Sequence, residues 1–580
     1  MNMFQNLKYI TTAVAVALIA NIASAQTTEE DKLNGGTITV VKAYDPSVAD
    51  AFKVKSTPQL NDTTKIQKKA VTYSIFSVPV ASTFTPAKGK LSRLKPRQRP
   101  TYYDNYARLG FGNYGNIVAE FAGNIEVDKD SDFGIFLNHN SSLGGIDEVL
   151  LDDSYLDTAL DLSFGHRSRS ASYGITAGAR YQGANLYGVN PFFTQQLINQ
   201  DLDDKDVGVN YLSYGLGGNL DFFDSVFKSL QAKVTGITSN MDGSEIRAMI
   251  EPQLAFDIEG TEVELGVSID YLSGGFDDQG RLPAQTDYSY VSSGVNPSIN
   301  LYGDLYKVEL GATVNYLSDL ENSDGQFNIY PDILATYKLL DDQIIAYTQI
   351  YGGLDMNSLQ QFADENVFLA PAIDIKPTDR VIDAQLGLKG KITNNVGYKF
   401  YGGYKKENDR YLYTKDVGRV IAAQAPKDEL GNVFFTEYAD VATTFFGGSL
   451  SVDVSSKFNM TLNGRSMNYD VTNAADIENT ASQLPEFTAD VVGTYQITDK
   501  LDIGTTVYFV GERDVYRTGL GVESLDSFVD LNVDANYKIN PRLTVFLRGN
   551  NLTGGNYQYY LDYPVQDLQV LGGAVYKFDF

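Results

Sequence analysis

The residues most suited to chemistry are the carboxylates of "DLDDKD", where Asp201, Asp203, Asp204 and Asp206 offer hard oxygen ligands of the kind a divalent cation takes. The spacing lacks the glycine and the closing glutamate of a twelve-residue calcium loop, and a solvated acidic loop is the simpler reading. Two histidines, His139 and His166, are present and there is no cysteine. Disulfides, cysteine zinc sites and a lipidated N-terminal cysteine are thereby removed, and nothing matches G-x-S-x-G or H-E-x-x-H. A carboxylate-only site is the one enzyme class left open. Otherwise the sequence reads as a non-enzyme that needs no cofactor.

The elements that would position these residues begin with an export signal. Lys8 precedes the apolar run from Ile10 to Ala23, and Ala23, Ser24 and Ala25 form an A-x-A cleavage signature, so residues 1–25 read as a signal peptide. No later stretch approaches the roughly 18 to 20 apolar residues a spanning helix needs. Charge then divides the chain. Residues 1–100 hold 14 Lys and Arg against 6 Asp and Glu, and the remainder holds 32 against 67. A body this acidic disfavours nucleic acid, whose binding depends on neutralising phosphates.

From about residue 101 the pattern is strict alternation. Leu156, Leu160, Leu162 and Phe164 oppose Asp157, Asp161 and Ser163, and Val529, Leu531, Val533, Ala535 and Tyr537 oppose Asp530, Asn532, Asp534, Asn536 and Lys538. In "DLQVLGGAVYKFDF", Leu568, Val570, Ala574, Tyr576, Phe578 and Phe580 share one face. Period two with one apolar and one polar side suits a soluble sandwich or a membrane barrel that is polar within.

Connection lengths separate the two. About 22 such segments are joined alternately by tight turns ("DKDS" at 128, "EGTE" at 259, "TNN" at 393, "NPR" at 540) and by long loops near 144–154, 186–206, 273–286, 355–379, 406–439, 512–524 and 553–566. That asymmetry is the pattern of an outer-membrane barrel, whose periplasmic ends are tight. "GNYG" at 112 and the turn near Asp242 break it by being short on the long side. The expectation is an all-β protein: a large transmembrane antiparallel β-barrel of about 22 strands over 101–580, preceded by a short basic N-terminal segment, 26–100. Tyr102, Tyr103, Tyr559, Tyr560 and Tyr563 would supply aromatic girdles at the lipid interfaces. In this topology His139 and His166 fall at opposite ends of neighbouring strands and cannot share a site.

The terminal stretch, with Asn551, Leu552, Tyr557, Tyr563, Pro564 and Phe578, resembles the closing strands of TonB-dependent outer-membrane receptors. The aromatic end, Tyr576, Phe578 and Phe580, looks like the signal read by the barrel-insertion machinery. The resemblance implies a Gram-negative outer membrane, lipid around the barrel, and a coupling peptide that pairs in the periplasm with a TonB-type energy-transducing protein. Thr37, Ile38, Thr39, Val40, Val41, Lys42 and Ala43 look like such a TonB box. A β-branched run isolated by Gly35, Gly36 and Pro46 can add to another protein's sheet edge, although it could also dock on the protein's own N-terminal segment.

The resemblance also implies a plug domain, for which only 44–100 remain. That segment reads as a Lys- and Thr-rich tether ending in Lys88, Lys90, Arg93, Lys95, Arg97 and Arg99. The lumen would be filled by the tether, by inward-bent loops such as 406–439, or by a partner protein. Two functions follow: ligand uptake energised through the box, or a receptor-derived barrel acting as a structural or accessory component of an outer-membrane assembly. The ligand itself is not legible.

Overall fold

The computed structural model describes residues 103–191, 205–277, 287–418, 426–455, 457–474 and 477–579. The signal segment, the box-like peptide, the basic run 88–99, Tyr102, Asp201, Asp203, Asp204 and Phe580 lie outside the described residues.

The strands in chain order are β1 (Asn105–Gly112), β2 (Ile117–Asp128), β3 (Ser131–Ser142), β4 (Tyr155–Arg167), β5 (Ala171–Asn185), β6 (Gly208–Phe222), β7 (Phe227–Ser239), β8 (Gly243–Ile258) and β9 (Thr261–Phe276). They continue with β10 (Asp287–Tyr302), β11 (Tyr306–Asp319), β12 (Asp324–Leu340), β13 (Ile344–Asp355), β14 (Thr378–Thr393), β15 (Val396–Lys415), β16 (Phe434–Ser455) and β17 (Phe458–Thr472). The last are β18 (Phe487–Gln496), β19 (Leu501–Val510), β20 (Arg513–Arg517), β21 (Gly521–Leu525), β22 (Phe528–Lys538), β23 (Leu543–Asn550), β24 (Gln558–Tyr560), β25 (Tyr563–Pro564) and β26 (Gln569–Phe578). A short helix, α1 (Leu359–Glu365), lies between β13 and β14.

Each wall strand pairs antiparallel with its sequence neighbour, β19 pairs directly with β22, and β26 returns to pair with β1. The hairpin β20–β21 is an excursion from one loop, and β24–β25 a small ladder within another. Removing them leaves a closed barrel of 22 strands. Closure satisfies every strand edge, which is what lets a sheet stand in lipid.

The alternation read from the sequence sets the two sides of this wall. Leu216, Ile250, Leu386, Phe400, Phe446, Val529, Leu547, Val570 and Tyr576 are all exposed, and they face outward around the circumference. An apolar belt of that extent is stable against lipid and not against water. Asp157, on the opposite parity, faces inward and pairs with Arg180. Among the described residues no helix is long and apolar enough to cross a membrane; the strands make the crossing.

Connections are tight at one end, as at 129–130, 259–260, 394–395 and 539–542, and mostly long at the other. The long end has the two short exceptions expected and a third, 320–323. The 406–439 connection is shorter than expected. β15 runs to Lys415 and β16 begins at Phe434, because a bulge between Glu407 and Arg410, with Asp409 at φ 50°, lets the ladder continue past a register shift. At 20 and 22 residues these two strands are about twice the 9–11 a tilted crossing needs. Above the bulge both faces of the hairpin are buried. Tyr411, Tyr413 and Phe434 pack on one side, while Leu412, Ala439 and Val441 meet Val471 and Ile477 on the other. No face is left for lipid, so this part stands clear of the membrane.

Candidate functional site

The long-loop mouth is covered by a packed cap. Its centre is the connection 356–377, which leaves β13, forms α1 and packs on the wall of β6 to β10. Leu359, Phe362 and Ala363 of α1, followed by Leu369, Ile373 and Ile375, join one buried cluster with Val209, Tyr211, Ile237, Leu272, Tyr288 and Tyr290 from β6, β7, β9 and β10. Burying side chains of this size stabilises by roughly 1.5–3 kcal/mol each, so the cap is a core in its own right.

Three polar anchors fix α1. At its start Ser358 caps the helix by accepting from Gln361 N, and the Glu245 carboxylate of β8 accepts from Leu359 N at 2.6 Å and from Tyr288 Oη at 2.7 Å. A carboxylate there satisfies donors that have no partner within the helix and opposes the helix dipole. At its end the Glu365 carboxylate accepts from Tyr411 Oη at 2.7 Å and Tyr413 Oη at 3.0 Å. On its side Asp364 meets Arg180 at 2.6 Å, and Arg180 in turn holds Asp157 at 2.7 Å.

The cap's second half is the loop 551–568. The expectation that Tyr559, Tyr560 and Tyr563 serve as lipid-interface girdle residues is corrected here, because the loop folds back over the mouth. Tyr563 is 2% exposed, stacks on Phe368 at 3.7 Å, and donates to the Asn432 carbonyl. Tyr560 Oη donates to the Glu365 carbonyl, and the Tyr559 carbonyl accepts from Arg513 at 2.7 Å. Asn551, at φ 48°, has a structural role of its own: its amide donates to Gly555 O at 2.8 Å and Gln566 O at 3.0 Å, tying the loop's two ends together. Tyr557 lies flat on Phe528 at 4.1 Å.

Beneath Tyr563 is a buried ionic knot. Lys415 has no exposed surface; its ammonium lies over the rings of Phe434 at 4.5 Å and Tyr563 at 4.4 Å, donates to Gly188 O at 3.0 Å, and is 3.9 Å from Asp562. Arg517, 1% exposed, binds Asp562 at 2.9 Å and Glu523 at 2.5 Å. Burial pushes the Lys415 ammonium down to about 7 despite Asp562, and burial likewise raises the Asp562 carboxyl despite the two cations beside it. The chain 426–433 completes the cover: Lys427 Nζ donates to Gly208 O at 2.6 Å and the Asn432 amide to Leu186 O at 2.7 Å.

Of the residues singled out by sequence, Asp206 is described and accepts from Gly208 N at 2.9 Å. Among the described residues no group of three or more His, Asp or Glu could hold a metal ion. Tyr576 and Phe578 lie on β26 at the tight-turn end, their rings stacked at 6.0 Å. His139 bonds to Thr158 Oγ1 and His166 to Ser131 Oγ, each at 2.8 Å, eight positions apart along β3, so the two rings stay at different ends. Tyr103 sits under Arg542 at 5.4 Å. The cap anchors Glu245, Arg180, Lys415 and Arg517 were missed. The run Tyr411, Leu412, Tyr413, apolar on both parities, was the signal that could have pointed to a doubly buried strand.

No protein-family model matches this chain, and no curated protein sequence matches it. Solved structures do. The ferric-catecholate import receptor Fiu from K12 E. coli aligns with a TM-score of 0.59 at 10% identity, covering 83% of this chain and 82% of that one. The siderophore receptor PirA from Acinetobacter baumannii gives 0.58 at 13% identity, covering 83% and 81%. The FrpB iron transporter from Neisseria meningitidis gives 0.60 at 10% identity, covering 82% of each. With the 22-stranded closure, the inward-folded mouth loops and these alignments together, the chain has the fold of the TonB-dependent outer-membrane receptors.

Proposed function

We propose that the protein is an outer-membrane receptor that takes up a ligand when its capping loops part, with energy delivered from the periplasm through residues 37–43. The observation that carries this reading is the cap: a loop connection fastened across the mouth by hydrogen bonds and ion pairs, each of which can exchange with water or ligand. The similar structures include iron and siderophore receptors, so ferric siderophores are the first ligands to test. Asp157, Asp161, Asp502, Asp530 and Asp534 belong to a wall in this reading and not to a catalytic site. Partners are lipid, a TonB-type protein and the insertion machinery, with Tyr576, Phe578 and Phe580 as the insertion signal.

The depth of the cap favours a second reading. A core containing Leu186, Leu272, Phe362 and Phe434, each buried to 2% or less, is costly to open, which suits a sealed barrel serving as a component of a larger outer-membrane assembly. Replacing Ile38 or Val40 with proline blocks strand addition. Loss of ferric-siderophore uptake in these variants, with normal amounts of barrel in the membrane, supports transport. Unchanged uptake removes it, and a stable co-purifying outer-membrane complex then supports the second reading.

A further inference from the structure

On the inner wall of β13–β17, three aromatic rings lie flat over glycines of the adjoining strand. Tyr347 covers Gly387, Tyr401 covers Gly447 and Phe445 covers Gly403; a Cβ on any of these glycines would come within 2.6 Å of the ring. The pairing register sets Tyr347, Gly387, Tyr401, Gly447 and Arg465 in one row across five strands, with Lys389 and Lys399 directly opposite each other in the next row toward the tight turns.

Cations stand on this floor. Lys389 and Lys399 both lie over Tyr347 at 5.3 Å, Lys399 also lies over Tyr401 at 5.1 Å, and the Arg465 guanidinium lies over Phe445 at 4.4 Å. Like charges placed directly across a ladder are unfavourable, and here they are held together by a shared ring face. The Tyr347 ring is itself pinned, its hydroxyl accepting from the Gln385 amide at 2.7 Å.

The charge balance differs sharply along the wall. Toward the mouth, Lys405 and Arg410 share Glu407 at 2.8 and 3.4 Å and Arg380 meets Asp355, so those cations are ion-paired. Among the described residues Lys389 and Arg465 have no ion pair, and the buried Arg465 Nε has no hydrogen-bond partner. Asp383 acts on Arg465 through space without forming an ion pair. Beyond β17 the wall brings Asp490, Asp530 and Asp534 on β18 and β22, which repel anions on that side of the strip.

We infer that the strip formed by Lys389, Lys399 and Arg465 on Tyr347, Tyr401 and Phe445 binds a water-soluble polyanion, a solute carrying several phosphate or carboxylate oxygens. Guanidinium and ammonium groups held on aromatic faces are partly desolvated and pre-positioned, which favours charge-assisted bonds to oxyanions. The inference rests on the barrel wall and not on energised uptake.

The test is titration calorimetry on the full chain in detergent, with inorganic tripolyphosphate in one arm and citrate in the other. Binding in either arm, weakening as salt is raised and about tenfold weaker in Lys389→Gln and Arg465→Gln, is the expected result. Lys389→Arg and Arg465→Lys should keep most of the affinity, which a merely structural role for these cations would not require. All variants should retain heat-dependent gel mobility, which shows the barrel intact. Val40→Pro should bind as the parent does, so failure of uptake and failure of the site remain separate results. Absence of binding in both arms, or affinity unchanged in both glutamine variants, overturns the inference.

Discussion

Tyr563 lies face to face on Phe368, ring centroids 3.7 Å apart and planes 19° from parallel. The two residues come from the connections after β23 and β13, and their stacking joins the two halves of the cap. Phe434 flanks Tyr563 at 6.0 Å, and Lys415 lies under both rings. The mouth is therefore closed by one shared cluster and not by loops that happen to be near one another.

Tyr563→Ala should loosen the cap without dissolving the barrel. Truncating a buried aromatic costs about 3–5 kcal/mol locally. The expected outcome is rapid protease cleavage within 356–377 and 551–568 in whole cells, with heat-dependent gel mobility unchanged. A cleavage pattern like the parent's would show that the stack does not hold the cap.

Within the ionic knot the two signs should behave unequally. Asp562→Asn leaves Lys415 and Arg517 buried without their shared anion and is expected to destabilise the cap by about 3–5 kcal/mol, whereas Lys415→Met keeps the volume, leaves the Arg517–Asp562 pair and should cost under about 1.5 kcal/mol. Urea-dependent proteolysis of the loops ranks the two. Equal losses would remove the argument.

Closure should depend on pH through Lys415. Its ammonium titrates near 7 when covered and near its ordinary 10.5 when released, so between these values the open state holds more protons and closure strengthens as pH rises. Below about pH 7 both states are protonated and this contribution is flat. The groups facing Lys415 are Asp562, Arg517, Asp416 and Glu523. Hydrogen-exchange protection of 558–564, corrected for intrinsic rates, should rise from pH 7 to 9 in the parent and stay level in Lys415→Met.

The anchors of α1 should also rank. Glu245→Ala removes a buried acceptor from Leu359 N and Tyr288 and is expected to cost about 1–3 kcal/mol. Arg180→Ala breaks a bridge whose side chains are 36–40% exposed and should cost no more than about 1 kcal/mol. Protease access to 359–376 reads both, and the reverse order would contradict the anchoring described.

Asn551→Ala should free the loop 551–568, since it deletes two amide hydrogen bonds at a left-handed backbone position, for about 1–3 kcal/mol. Asn551→Gly relieves the backbone but not the bonds and should fall between alanine and the parent in the same cleavage assay.

The wall was legible because alternation is local: Val529 to Lys538 states which side meets lipid without reference to any other strand. Counting such segments then approached the strand number, and connection lengths told barrel from sandwich. The cap was not legible, because its partners, Phe368 with Tyr563 or Glu245 with Leu359, lie in different connections, and no periodicity links them. Tyr559, Tyr560 and Tyr563 were misplaced for the same reason: a tyrosine near a strand end reads alike whether its loop stands upright or folds inward. Asn551, one of the residues that carry the resemblance at the terminal stretch, has a physical reason in its two amide hydrogen bonds.

The wall is also of unequal height. β1 and β23 have eight residues each, while β15 and β16 have 20 and 22. Extraction by force should therefore be uneven: drawn from the amino-terminal side with a cantilever tip, the cylinder would shed β1 first at low load, and the tall hairpin, reached only after β14, would give the largest rupture peak.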